Sequence, residues 1–260
     1  REVQPTGIGA CRGAAVYFIQ SSGFVVEDVH ETGFVGEGLG FQMCSHVLIR
    51  GCRFAQNTGN GYHPGAGSTG VLFQDCESLG NDLAGFYFCV RANHITVRGC
   101  TFAENRVAGL SVGTRDCHNL VEDCRMERNE GPGILLRPNV RPVEVHSCVF
   151  RRCAVSANAR TAGRGQIDIL GDAHDVVLEG NEIAGLAGQE KPGIYLAPSA
   201  QRITLRGNTI VGCFPEVVAL SAQQADEPAP FTHGQLQAGE GAYRHLGLPE
   251  PERCPERGVG

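Results

Sequence analysis

The chain contains no tryptophan and one lysine, Lys191, so 21 of its 22 basic residues are arginine. Aromatic residues are only 7% and charged residues only 19% of the 260 positions. A net charge of −6 at pH 7 disfavours general nucleic-acid binding. No apolar run approaches the roughly 18 residues of a membrane-spanning helix, so no membrane span is expected. No charged-then-apolar leader follows Arg1, which leaves an extracellular or periplasmic location open. What is abundant excludes two further classes. Hydrophobic residues at 42% are too many for a disordered chain. The 36 glycines, about twice average usage, speak against a helical bundle because glycine weakens helix interiors.

Repetition is the strongest signal. Cys52, Cys76, Cys100, Cys124 and Cys148 follow one another every 24 residues, and Asp28 lies one such step earlier. Asn57, Asn81, Asn105 and Asn129 keep the same step, as do Gly61, Gly85, Gly109 and Gly133. Within each period, alternating segments such as Val47-Leu48-Ile49-Arg50 and Ile95-Thr96-Val97-Arg98 precede the cysteine. A second apolar segment follows the glycine, as in Phe86-Tyr87-Phe88 and Ile134-Leu135-Leu136. Three short strands per period, separated by bends, cannot bury their apolar faces alone; stacked coils can. The pattern predicts an all-β, parallel β-solenoid of about 24 residues per coil and roughly seven to eight coils. Gly180-Asn181-Glu182-Ile183 and Gly207-Asn208-Thr209-Ile210 continue the cysteine series with asparagine, after inserted residues.

An apolar strand, Gly-Cys/Asn, an apolar residue, Asn, and then a glycine-led strand such as Gly193-Ile194-Tyr195-Leu196 resemble the right-handed parallel β-helix proteins of the pectate-lyase-like superfamily. The resemblance covers about residues 13–220. It implies that the strand after the repeated glycine forms the sugar-binding face. Residues 1–12 are too short for a full cap, and further coils are expected before Arg1. Residues 221–260 carry Pro228, Pro230, Pro249, Pro251 and Pro255 and read as a tail or linker.

Residues one coil apart lie about 4.8 Å apart with parallel side chains, whereas a disulfide needs convergent Cβ atoms roughly 3.5–4.5 Å apart. The regularly spaced cysteines are therefore expected to be reduced, buried thiols. A zinc site is not expected, since a column of residues offers a line and zinc needs tetrahedral convergence. Cys148 with Cys153, and Cys117 beside His118, resemble ligand pairs only loosely. His94 and His118, one period apart, would need a third ligand to hold a metal. No cofactor is expected; calcium stays an open alternative without an aspartate motif.

In the glycine-led strand, Tyr62, Phe86, Leu110 and Ile134 should point inward, leaving His63, Tyr87, Ser111 and Leu135 outward. One outer face then carries His63, Tyr87, Arg91, Arg115, Asp116 and Arg137, with Asp168 further along. Histidine and tyrosine can exchange protons near a bound sugar, and arginines can hold a carboxylate. These groups suit removal of the proton beside a uronate carboxylate, giving elimination or inversion. The expected catalytic residues are His63 as base and Tyr87 as acid, with Arg115 stabilising charge. The expected substrate contacts are Arg91, Asp116, Arg137 and Asp168. The partner would be a polysaccharide or oligosaccharide. A hydrolase using Asp116 and Asp168, a noncatalytic glycan-binding module and a structural solenoid are the alternatives.

Overall fold

A computed structural model describes residues 13–138 and 145–219. Among these residues the chain winds through about eight turns of a parallel β-solenoid built from three sheets of nine, eight and eight strands. The first sheet runs through Ala14–Ile19, Glu37–Gln42, Tyr62–Gly65, Ala84–Tyr87, Ala108–Val112, Ile134–Leu136, Ile167–Ile169, Ile194–Leu196 and Val217–Ala219. The second runs from Ser22–Glu27 to Gln201–Arg206, and the third from His30–Thr32 to Thr209–Val211. The expected terminal segment (1–12) and all of the expected tail (221–260) lie outside the described residues.

Alternation along each strand decides what enters the core. Tyr62, Phe86, Leu110 and Ile134 are fully buried, and so are Phe88, Val112 and Leu136 one pleat further on. Phe73 packs edge-on against Phe86 with centroids 4.7 Å apart, and Phe86 against Phe102 at 5.6 Å. The buried Tyr62 hydroxyl is satisfied by the Cys52 carbonyl at 2.7 Å.

The bend between the second and third sheets explains the residue in front of each cysteine. Gly51, Asp75, Gly99, Asp123, Arg152, Gly180 and Gly207 all take a left-handed conformation there, with φ between 51° and 65°. Glycine adopts this freely and aspartate more readily than most other residues. The next residue turns inward. Cys52, Cys76, Cys100 and Cys124 are buried in adjacent coils, each thiol donating to the carbonyl two residues earlier at 3.2–3.3 Å.

Register corrects this column at both ends. Arg125 pairs with Ala154, so the residue stacked on Cys124 is Cys153, not Cys148. Cys148 instead follows Asn119 in the second sheet, whose neighbour Leu120 pairs with Val149. Extra residues between these coils lengthen the step to 29, as in the Asn129–Asn158 contact. At the other end His30 pairs with Arg53, so Val29 rather than Asp28 stands below Cys52, and that coil is 23 residues long. The ten cysteines of the described region are free thiols. Burial pushes the Cys148 thiol up to about 12.

Asparagines close the bend between the third and first sheets. Asn81 donates through its backbone N–H and its Nδ2 to Asn105 Oδ1 at 3.0 and 2.9 Å. Asn105 does the same to Asn129 at 2.9 and 3.1 Å, and Asn129 to Asn158 at 3.1 and 2.8 Å. The row ends where the Gln166 side chain takes the Asn158 N–H. Buried bend amides that strand pairing cannot reach are thereby satisfied from coil to coil.

Candidate functional site

The outer column of the first sheet reads Tyr17, Gly40, His63, Tyr87, Ser111, Leu135, Asp168, Tyr195 and Val218 in successive coils. His63, Tyr87 and Ser111 are thus vertical neighbours, as the alternation predicts. One pleat further on lie Gln42, Gly65, Cys89, Gly113 and Arg137.

Arg137 organises the centre of this face. Its backbone N–H donates to Val112 O, which seats it beside Gly113. The side chain then turns back across two coils. Nη1 donates to Ser111 Oγ at 2.9 Å and Nη2 to Phe88 O at 2.8 Å. Its Cζ lies 3.8 Å from the Tyr87 ring centroid, a cation–π contact. Gly113 makes this path available, because a Cβ there would run into the guanidinium. Asp116 Oδ2 stands 4.0 Å from Nη2.

Beneath Tyr87 lies His63, edge to face with centroids 5.0 Å apart. The outward direction of His63 agrees with the sequence reading, but its side chain is only 2% exposed. Two neighbours that the sequence reading missed account for its state. Glu37 Oε1 lies 3.3 Å from Nδ1 and is itself held by Asn60, whose N–H donates to Oε2 at 2.7 Å. Cys89 is the other hydrogen-bonding partner. Burial opposes protonation of the imidazole, yet Cys89 and Glu37 outweigh it and push its pKa up to about 9. On the side away from Tyr87 the column holds Gly40, which has no side chain. Ala14, Tyr17, Glu37, Gly40, Gln42 and His63 line a shallow dent there, too tight to hold a water molecule.

The remaining predicted residues are placed differently. Arg91 and Arg115 are exposed, at left-handed positions (φ 68° and 62°) on the bends leaving the first sheet. They flank the Tyr87 face rather than lie on it. Asp116 is fully buried and its carboxylate accepts the N–H groups of Ala92 and Gly113, each at 2.9 Å. Burial raises its pKa to about 8 despite these bonds and Arg137. Asp168 does occupy the outer column, but it too is buried and accepts the N–H groups of Arg164 and Gly165, both at 2.8 Å. Two further strands separate its coil from that of Tyr87. Both aspartates fasten backbone bends, a role incompatible with the open substrate contacts expected of them.

Comparisons with known proteins agree with this architecture. The family model described as "Right handed beta helix region" matches residues 7–115 and again 66–226. Among solved structures, the A-module of the Azotobacter vinelandii mannuronan C-5 epimerase AlgE4 superposes with a TM-score of 0.60 at 14% identity, over 79% of this chain and 64% of that one. The periplasmic alginate epimerase AlgG gives 0.57 at 13% identity, over 79% and 50%. An alginate lyase from Paenibacillus sp. str. FPU-7 gives 0.56 at 11% identity, over 83% and 75%. The chain thus spans less than two thirds of the epimerase structures. No curated protein sequence matches. At such identities the likeness is one of fold; the family match shows that the chain belongs to the right-handed β-helix family.

Proposed function

We propose that the outer face of the first sheet acts on a uronate-containing polysaccharide, abstracting the proton beside the carboxylate. One observation carries the reading: Arg137, Tyr87 and His63 form a continuous stack on this face, with Arg137 fixed by Ser111 and Phe88 and His63 by Glu37. Relatives in fold described as alginate epimerases and an alginate lyase support it.

The chemistry follows from the placement. Arg137, with its side chain 20% exposed, offers a cation to the substrate carboxylate and to the enediolate that forms from it. His63, once neutral and once the side chains around Gly40 part to admit the sugar, takes the C5 proton. Tyr87, half-buried beside His63 on this face, returns a proton from its hydroxyl. Delivery to the opposite face of C5 inverts the sugar, and delivery to the departing glycosidic oxygen cleaves the chain. Arg91 and Arg115, on the flanking bends, would meet carboxylates of neighbouring sugars. Hydrolysis by Asp116 and Asp168 fits poorly, because both carboxylates are committed to backbone N–H groups.

The test is incubation with a panel of uronate and neutral polysaccharides, following ultraviolet absorbance, reducing ends and epimer composition. Elimination raises absorbance and reducing ends together; inversion changes composition alone. New reducing ends from neutral polymers, without absorbance, would overturn the proposal.

Protonation of His63 supplies a second expectation with two opposite signs. Its folded pKa of about 9 lies above the ordinary 6.5, so the native state holds this proton more tightly than the unfolded chain does. The stabilisation is complete below pH 6.5 and is lost as pH rises through 9. The unfolding midpoint should fall across that window while turnover rises, because the base is the neutral form. In His63→Gln the downward slope of stability should flatten; an unchanged slope would assign the titration elsewhere.

A further inference from the structure

At the entrance to the second sheet, on a different face from Tyr87, histidines from four coils form a row. His94 stacks on His118 with centroids 5.1 Å apart and planes 4° from parallel, and His146 stacks on His174 at 5.3 Å and 6°. The two pairs meet differently. His118 and His146 are 5.3 Å apart and nearly perpendicular, at 86°. Parallel stacked rings aim their nitrogen lone pairs along parallel planes, whereas perpendicular rings can direct them to one point.

Cys117 stands at that junction. It is bridged to His146 in the next coil, so their side chains are vertical neighbours. His118 should point away from Cys117 by strand alternation, but its left-handed backbone (φ 54°) interrupts the alternation. The result is that one ligand atom from each of Cys117, His118 and His146 lies within 4.8 Å of the other two. A tetrahedral zinc with one sulfur and two nitrogen ligands sets them about 3.3–3.6 Å apart, which modest side-chain rotation reaches. Two independent observations point to an ion. His118 Nδ1 is buried and has no hydrogen-bond partner among the described residues. His146 Nδ1 lies 3.1 Å from Ser147 Oγ, the kind of outer contact that orients a ligating imidazole.

We propose that Cys117, His118 and His146 form a zinc site with an open fourth position. A single thiolate with two imidazoles is a donor set suited to this ion. Sequence spacing offers the pairs His94–His118 and Cys117–His118; the third ligand is hidden because His146 lies 28 residues beyond His118 rather than 24, past the extra residues of that coil. The ion would tie together the two coils on either side of residues 139–144.

Cobalt(II) and zinc titrations of the whole chain test the site. Cobalt should bind at one ion per chain and produce a thiolate-to-metal charge-transfer band with four-coordinate d–d absorption, both bleached by one equivalent of zinc. Cys117→Ser should abolish the charge-transfer band, and His146→Gln should weaken zinc binding at least 10-fold. Because either variant could fold poorly, alkylation of wild type provides a second reading. Zinc should protect Cys117 but not the similarly half-buried Cys89 or Cys213, as mapped by mass spectrometry. Cobalt spectra without a thiolate band, or equal alkylation of Cys117 with and without zinc, would overturn the assignment.

Discussion

Tyr87→Phe is expected to lower turnover of a uronate polymer by about 10²–10⁴-fold, the usual worth of a positioned proton-transfer group, while leaving the fold intact. The ring keeps its contacts with His63 and Arg137; only the hydroxyl is lost. The unfolding midpoint should therefore stay close to wild type, which separates a chemical effect from a packing effect. Arg137→Ala is a harsher change. It removes the cation, uncovers the Tyr87 ring and frees Ser111 Oγ and the Phe88 carbonyl, so kcat and KM should both suffer. Wild-type turnover in Tyr87→Phe would move the chemistry off this face.

The largest effect on stability is expected at the asparagine row. Asn105→Ala withdraws the oxygen that accepts both the N–H and the Nδ2 of Asn81. It also removes the amide that reaches Ser78 O and Asn129 Oδ1. All of these groups are buried where water does not replace the partner, and each orphaned one costs about 1–3 kcal/mol. A loss of about 3–5 kcal/mol in urea unfolding follows, at the severe end for a single substitution. A change below about 1 kcal/mol would mean that the row is incidental to stability.

How much of this was legible beforehand depends on how strictly the period holds. From Cys52 to Asn129 every coil is 24 residues, and there the inward Tyr62, Phe86, Leu110 and Ile134 and the outward His63, Tyr87 and Ser111 follow from alternation alone. Below Cys52 the coils are 23 residues long, as in the Asn60–Glu37 bond. A fixed step of 24 misplaces that region by one residue, which is why Asp28 was set in the cysteine column and why Gly40 and Glu37 escaped notice. Above Cys124 the extra residues make Cys148 keep the arithmetic while Cys153 keeps the stack. Both cases are shifts of register, which reverse the face of every side chain beyond them.

The site was legible in type but not in depth. Pleat direction shows that His63 points away from the core, yet not that Tyr87, Glu37 and Cys89 would bury it. Nor does pattern distinguish Arg137, whose side chain folds back across Gly113, from Arg91 and Arg115, which stay on exposed bends. The buried Asp116 and Asp168 carry the same lesson: an acidic residue next to a bend is as apt to hold backbone N–H groups as to face a ligand.

Proton exchange at the sugar carbon tests the central claim most directly, since elimination and inversion share that step and hydrolysis lacks it. Turnover of a uronate polymer in deuterium oxide, followed by isotope analysis of the products, should show solvent deuterium at C5 after inversion. After elimination it should show loss of the C5 hydrogen, and neither change should occur with His63→Gln. Products that retain the original C5 hydrogen throughout, or identical exchange by His63→Gln, would contradict proton abstraction on the Tyr87–His63–Arg137 face.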